Sequence, residues 1–418
     1  TILDSAFSGC TALTEVILPD TLTEIGNGSF FGCTALTEIT MPDSVTSIDE
    51  SAFSGCTALT EITLPDSLQY LGDWVFADCT ALNSIVLSGS VRYVPDQAFS
   101  GCGALTSVTI PAGVTSIESG AFEGCDSLAA VYYEGDIAGW CGIQGLSGLT
   151  AEGRTLYIGG QEIAGDVVIP AGVTGIAPYA FYGCDLTSVT IPDSVAEVGD
   201  HAFDGNVRLI VTSGGVRYAD GWAVGCDPDV TEVVIRDGTV GIAAYAFSGC
   251  GSLTDITIPD SVTHIGEHVF FDTAFYGDSG NWENGALYIG RHLIDVSDTL
   301  SGMFTVREGT LTIAARAFSG CRSLTGITVP AGVTHIGRDA FGTTSYGCTG
   351  LTGVYIDDLS AWCAISFGNM TANPLYFAHN LYINGSPVTE AVIPADVTSI
   401  GNNAFSCEPS RCAISILF

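Results

Sequence analysis

Ser51-Ala-Phe-Ser-Gly-Cys-Thr-Ala-Leu-Thr-Glu-Ile-Thr-Leu-Pro-Asp-Ser-Leu68 decides the architecture, because closely similar text stands 23 residues before it and 23 residues after it. Cys10, Cys33, Cys56, Cys79, Cys102 and Cys125 keep that spacing of 23 throughout. The Phe of the stretch recurs at Phe7, Phe30, Phe53, Phe76, Phe99, Phe122, Phe181, Phe203, Phe247, Phe270, Phe318, Phe341 and Phe405. A pattern of many positions repeated at a fixed period is the signature of a solenoid.

Each repeat has a direct physical reading. Leu59-x-x-Ile62-x-Leu64 turns three apolar side chains inward and leaves Glu61 and Thr63 outward, which predicts a short strand. Pro65-Asp66 ends it, because Pro lacks the ladder N–H and Asp favours turns. Leu68-x-x-Leu71-Gly72 predicts a second extended piece, matched by Val45-x-x-Ile48 and Val114-x-x-Ile117. A tight Ala-Phe-x-x-Cys turn closes the coil with Phe inside. One such coil cannot bury its own apolar face, so stacked neighbours must bury each other's.

The unit Leu-x-x-Ile-x-Ile-Pro-x-x-Val-x-x-Ile-Gly-x-x-Ala-Phe-x-x-Cys resembles the BspA-like, Treponema pallidum type of bacterial surface leucine-rich repeats. That resemblance implies a right-handed array of coils with a parallel sheet on its concave side, second short strands, and short turns or helical pieces. It also implies a cell-surface or secreted protein. Members of this kind are linked to adhesion to matrix proteins, host cells or other microbes, so the implied partner is an extracellular protein or a host-surface macromolecule.

The array is interrupted twice by the same insertion. Ile137-Ala-Gly-Trp140-Cys141-Gly-Ile143 parallels Leu359-Ser-Ala-Trp362-Cys363-Ala-Ile365, and each is followed by Leu-Tyr-Ile and a turn: Leu156–Gly160 and Leu381–Gly385. Related triplets stand at Arg217-Tyr218-Ala219-Asp220-Gly221 and Leu287-Tyr288-Ile289-Gly290-Arg291. Apolar triplets around Gly, Asn-Gly or Asp-Gly predict four β-hairpins. The expected layout is a single solenoid. Regular repeats over 1–130 are followed by an insertion over 131–166, then by repeats over 167–350 with irregular coils at 207–229 and 272–311. A second insertion at 351–390, a last repeat at 391–406 and an atypical tail at 407–418 complete it. Entry in mid-repeat and an apolar end lead us to expect a fragment of a longer protein.

Charge narrows the function. The 418 residues carry 46 acids against 11 arginines and no lysine, a formal charge of −35. Binding of nucleic acid through phosphates needs clustered Lys and Arg, and docking on an anionic bilayer needs a polybasic patch. Neither is present, and no apolar run approaches the ~18 residues of a membrane helix.

Candidate chemistry is sparse. The periodic cysteines should form an inward column of buried small hydrophobes with parallel Cβ vectors, poor geometry for disulfides. Cys407 and Cys412 could pair. Glu15, Glu38 and Glu61 share one outward position and Asp20, Asp43 and Asp66 one turn position, a pattern open to a solvated acidic face or to a Ca²⁺ or basic partner. The six histidines are scattered, and no nucleophile-base, metalloprotease or phosphate-loop signature occurs, so we expect no catalytic residue, no metal and no cofactor. The outward strand positions Glu38, Glu61, Thr63, Thr109, Tyr132, Thr190, Thr257 and Tyr355 are the expected binding residues. Tyr132 and Tyr355 either anchor a partner or cover the core of the adjoining insertion. The expected function is non-catalytic recognition by a monomer. The alternatives are a spacer that projects another domain from the envelope, and a glycan-active hydrolase that uses the array as a clamp.

Overall fold

The computed structural model describes residues 1–151, 153–407 and 415–417. The chain forms two compact units: residues 1–194 with 201–210, and residues 195–200 with 211 onward. Each is a β-solenoid in which equivalent letters of successive repeats lie side by side.

In the first unit the second strands of the repeats pair in parallel, in a three-stranded and a two-stranded sheet. Glu24–Ile25, Ser47–Ile48 and Tyr70–Leu71 pair in sequence order, and Tyr93–Val94 pairs with Ser116–Ile117. The other ladder takes Ser84–Val86, Ser107–Ile110, Ala130–Tyr133 and Thr155–Ile158, again parallel and in order. The equivalent pieces of the earlier coils differ from expectation: they carry only an isolated bridge, Thr40 to Thr63, where strands were expected around Ile39 and Ile62. Those coils stack Glu15, Glu38 and Glu61 at one position, and like charges at ~4.8 Å strand spacing oppose close pairing. The ladder begins where that position becomes Ser84 and Ser107.

The Ala-Phe-x-Gly-Cys turns hold the stack together. Phe7, Phe30, Phe53, Phe76, Phe99 and Phe122 form a column of stacked rings with neighbouring centroids 5.0 to 5.6 Å apart. Each turn also bonds to the next coil through the backbone. Ser51, Phe53 and Gly55 donate to the carbonyls of Asp73, Val75 and Ala77 at 2.8–2.9 Å. Two left-handed residues per turn aim these N–H groups along the stack, as at Ser51 (φ 55°) and Gly55 (φ 74°). Left-handed backbone costs a residue with a Cβ about 1–2 kcal/mol, which favours the Gly before most of the periodic cysteines; Asp78 holds that place at φ 57° before Cys79.

The cysteines do more than fill space. The thiols of Cys33, Cys56, Cys79, Cys102 and Cys125 donate to the carbonyls of Phe7, Phe30, Phe53, Phe76 and Phe99 at 3.2–3.3 Å. Asn206 occupies the same place and donates to the carbonyls of Phe181 and Phe203 at 2.7 and 2.8 Å. The argument against disulfides needs correction at one periodic position, because Cys250 is bonded to Cys226. Cys226 belongs to a strand, Trp222–Cys226, so its Cβ leaves a differently directed backbone and the parallel-vector objection does not apply. Cys412 lies outside the described residues, so its pairing with Cys407 does too.

All four expected hairpins form. Thr155–Ile158 turns back into Gln161–Glu162, and Leu381–Ile383 into Ser386–Pro387. The two in the second unit are three-stranded meanders: Val211–Ser213, Val216–Ala219 and Trp222–Cys226, then Trp282–Glu283, Ala286–Ile289 and His292–Val296. In each, the last strand continues the parallel ladder, Trp222 beside Gly241 and His292 beside Thr312. A meander therefore replaces a coil without breaking the stack. Both meanders share one lock. The guanidinium of Arg236 lies 4.0 Å above the Tyr218 ring and that of Arg307 lies 4.1 Å above Tyr288. Each tyrosine hydroxyl also accepts the backbone N–H of its arginine at 3.1 Å.

Candidate recognition surface

Each Trp-Cys insertion is a short helix with a fixed anchor. Asp136 caps Ile137–Cys141 by accepting from the Gly139 N–H, and Asp358 caps Leu359–Ala364 by accepting from the Ala361 N–H. Trp140 is wholly buried, and its indole donates to the Ala180 carbonyl at 2.7 Å. Trp362 repeats this with the Ala404 carbonyl at 2.8 Å. In both cases the accepting Ala belongs to the next Ala-Phe turn, so the tryptophan substitutes for a missing coil. Gly145, after the first helix, sits at φ 81° where a Cβ would collide with the Ile117 carbonyl, so no other residue fits.

The same register builds a tyrosine pair at each insertion. Tyr132 lies beside Tyr157 and Tyr355 beside Tyr382 in the parallel ladder. The rings stack with centroids 4.7 Å and 4.6 Å apart. Tyr132 is 40% exposed, and the other three rings are half-buried. In the second unit, glycines clear the sheet beneath the rings. A Cβ at Gly353 would come within 3.0 Å of Tyr382 and 3.1 Å of Tyr355. None of the four rings packs into the tryptophan pocket: Trp140 contacts Tyr133 and Trp362 contacts Phe367. Tyr132 is thus the more exposed of the two expected tyrosines and Tyr355 the more covered.

The other expected binding residues fall on outward positions but do not converge. Glu38, Glu61 and Thr63 are exposed on neighbouring coils of the first unit. Thr109 adjoins Tyr132 and thereby joins the first pair. Thr190 lies beside Val168 and Thr257 beside Val234, on separate two-stranded ladders. Tyr157 and Tyr382 escaped the sequence reading, although both stand in the Leu-Tyr-Ile triplets. Their signal was the parallel register that sets each triplet beside the strand before its insertion. The column of outward threonines is broken at Val86, Val168 and Val234, all more than half exposed, so the face mixes hydroxyl, aliphatic and aromatic groups.

The buried thiols are chemically quiet. Burial pushes Cys56 and Cys102 up to about 12, against an ordinary value of 9.0. Among the described residues no group of three His, Cys, Asp or Glu side chains is placed to hold a metal, and no helix is long and apolar enough to cross a membrane.

A solenoid of 23-residue coils with a Phe-Cys column and parallel ladders defines the leucine-rich repeat class. The BspA type leucine rich repeat region, a family of six copies, matches residues 1–129, 163–275, 224–352 and 297–410, and the chain belongs to that family. It is a repeat family rather than a family of enzymes. No curated protein matches the chain. Among solved structures, a Treponema pallidum leucine rich repeat protein is 38% identical over 32% of this chain and 65% of its own, with a TM-score of 0.30. This chain therefore spans just under two thirds of that protein. A leucine rich cell surface protein from Faecalibacterium prausnitzii is 26% identical, covering 87% of this chain and 85% of its own, with a TM-score of 0.29. A leucine-rich repeat protein from Bacteroides ovatus is 24% identical over the same shares, with a TM-score of 0.35.

Proposed function

We propose that this chain is a non-catalytic recognition module of a bacterial cell-surface or secreted protein, and that its stacked tyrosine pairs contact an extracellular protein partner. The observation that carries this reading is the duplication. Two insertions of different length, in separate units, each set a tyrosine pair at the same outward ladder position, 4.7 and 4.6 Å apart. Tyrosine offers a large amphipathic contact with few rotatable bonds, and it is enriched among the residues that dominate interface energies. Stacking restricts each ring before binding, which lowers the ordering cost of association. Acidity and the lack of lysine point the surface away from nucleic acid and anionic lipid. Membership of a family that includes surface proteins, with a cell-surface protein among the similar structures, supports the localisation.

The test is binding to immobilised extracellular matrix proteins and to host cells by the intact chain and by two double variants, Tyr132→Ala/Tyr157→Ala and Tyr355→Ala/Tyr382→Ala. At least one double variant should lose affinity by about tenfold or more, the scale of one interface hot spot. Retention of full binding by both would refute the tyrosine surface, and absence of any binding by the intact chain would favour a spacer.

A further inference from the structure

The stack of phenylalanines that runs through the regular coils is interrupted in the second unit. Phe247 stacks on Phe270, and the stack resumes with Phe318 on Phe341. Between the two stretches the chain leaves the repeat. Asp272 takes the Gly position of the turn at φ 60°. Thr273 takes the Cys position, and its hydroxyl donates to the Phe270 carbonyl of its own turn at 2.7 Å, where the thiols reach the Phe carbonyl of the preceding coil. Thr273 then caps a helix of one turn, Ala274–Gly277, and the excursion returns only at Ala286. Beside the helical turn and the meander that stand in place of a regular coil lies an open cleft of about 440 Å³, lined by His268, Tyr276, Trp282, Asp295, Asp298 and Arg316 together with Ser297 and Ser319. That volume lies within the range of roughly 300–1,000 Å³ usual for small-ligand sites. A recess of about 10 Å³, near the size of one water, continues behind it beside Asp295 and Ile294.

The walls of the cleft are held in place. The Trp282 indole donates to the Tyr276 carbonyl at 2.9 Å, and the two rings meet edge to face at 80° with centroids 5.3 Å apart. Tyr276 donates its hydroxyl to Asp295 Oδ2 at 2.7 Å, while Asp295 Oδ1 accepts from the Val296 N–H. Burial raises the Asp295 carboxyl above the usual carboxylate range. Arg316 is balanced by Glu267, with Nε 2.7 Å from Oε2. The charged groups are thus largely neutralised within the wall, apart from the exposed Asp298.

From this lining we infer a second binding site, for a neutral saccharide. An anion would face Asp298 and Asp295, and a cation would face Arg316. A hydroxyl group both donates and accepts, so a polyhydroxylated ligand suits carboxylate acceptors and guanidinium donors side by side. Tyr276 and Trp282 add aromatic carbon to the lining, suited to the C–H groups of a sugar ring, and Ser297 and Ser319 add hydroxyl partners. The site is separate from the tyrosine pairs, and its test stands or falls apart from theirs.

The experiment is calorimetric titration of the full chain with neutral oligosaccharides (malto-, cello-, xylo- and galacto-oligosaccharides), alongside heparin and glucosamine oligomers as anionic and cationic probes. At least one neutral oligosaccharide should bind. Trp282→Ala should weaken it by about tenfold or more, and Asp298→Ala by about threefold or more, with Tyr132→Ala/Tyr157→Ala unaffected. Asp298 is exposed and its variant is expected to fold, so the test survives if Trp282→Ala does not. Binding of only heparin or only glucosamine oligomers, of nothing, or of a neutral sugar with equal strength by the wild type and Asp298→Ala, would overturn the inference.

Discussion

The regular coils of the first unit and the meander-bearing coils of the second solve one problem in opposite ways. In the regular coils the inward side chains meet copies of themselves 23 residues away. Phe stacks on Phe, Cys donates to a Phe carbonyl, and Thr37 and Thr60 hydroxyls reach Thr14 and Thr37 carbonyls. Stability there is shared among neighbour interfaces. The meanders have no copy to meet, so they rely on single pairs such as Arg307 over Tyr288 and Tyr276 with Asp295. Repetition fills space evenly. Its interruption leaves a cleft with polar walls, and the departure from repetition is where chemistry can be placed.

The strongest way to break this comparison is to remove one ring from the regular stack. Phe53→Ala loses contacts with Phe30 and Phe76 together and should cost about 3–5 kcal/mol in denaturant unfolding. Phe7→Ala, which strips a partly exposed ring stacked on one neighbour, should cost distinctly less. Equal losses would mean that the coils do not share stability through their interfaces.

Trp362→Phe comes next, since it removes the indole donor to the Ala404 carbonyl, which keeps its bond from Asn373 Nδ2 at 3.0 Å, and it leaves part of the indole's space unfilled. The expected loss is about 1.5 kcal/mol. Tyr288→Phe probes the meander lock more gently: the ring stays beneath Arg307 and only the acceptor for its N–H disappears, so about 1 kcal/mol is expected.

His264 sharpens the comparison through pH. Burial, reinforced by the nearby His335, lowers its pKa from 6.5 to about 4. As pH falls the unfolded chain takes up this proton first. The stability from keeping His264 neutral is therefore complete above about pH 6.5 and is lost as pH falls toward about 4. His264→Gln should flatten that part of the stability profile measured from pH 7 to 4, and an unchanged slope would assign it elsewhere. The smallest effect concerns the thiols. With the fold intact at about pH 8, a thiol reagent should label the exposed Cys10 readily and leave Cys56 and Cys102, raised to about 12, unlabelled.

Most of the fold was legible because its information is periodic. A spacing of 23 residues places Phe on Phe and Ile on Ile whatever the outward letters are. The hairpins were legible for a local reason: glycine, Asn-Gly and Asp-Gly turns between apolar triplets specify them within ten residues. Cys226 paired with Cys250 was not, because the column argument treated every cysteine as lying in a turn while Cys226 lies in a strand. The carboxylate column of Glu15, Glu38 and Glu61 was visible, but its effect on strand pairing was not, since pairing depends on backbone spacing as well as residue type.

The sequence by itself determined the repeat, the inward and outward faces, the four hairpins and the acidic character, all of which follow from composition and near-neighbour patterns. The tertiary structure alone decided which tyrosines pair and where a cleft opens. Tyr132 meets Tyr157 across an inserted helix, and His268, Tyr276, Asp295 and Arg316 line one cleft where a meander replaces a regular coil. Such meetings depend on how many residues each detour spends before rejoining the stack, a length that no periodic pattern encodes.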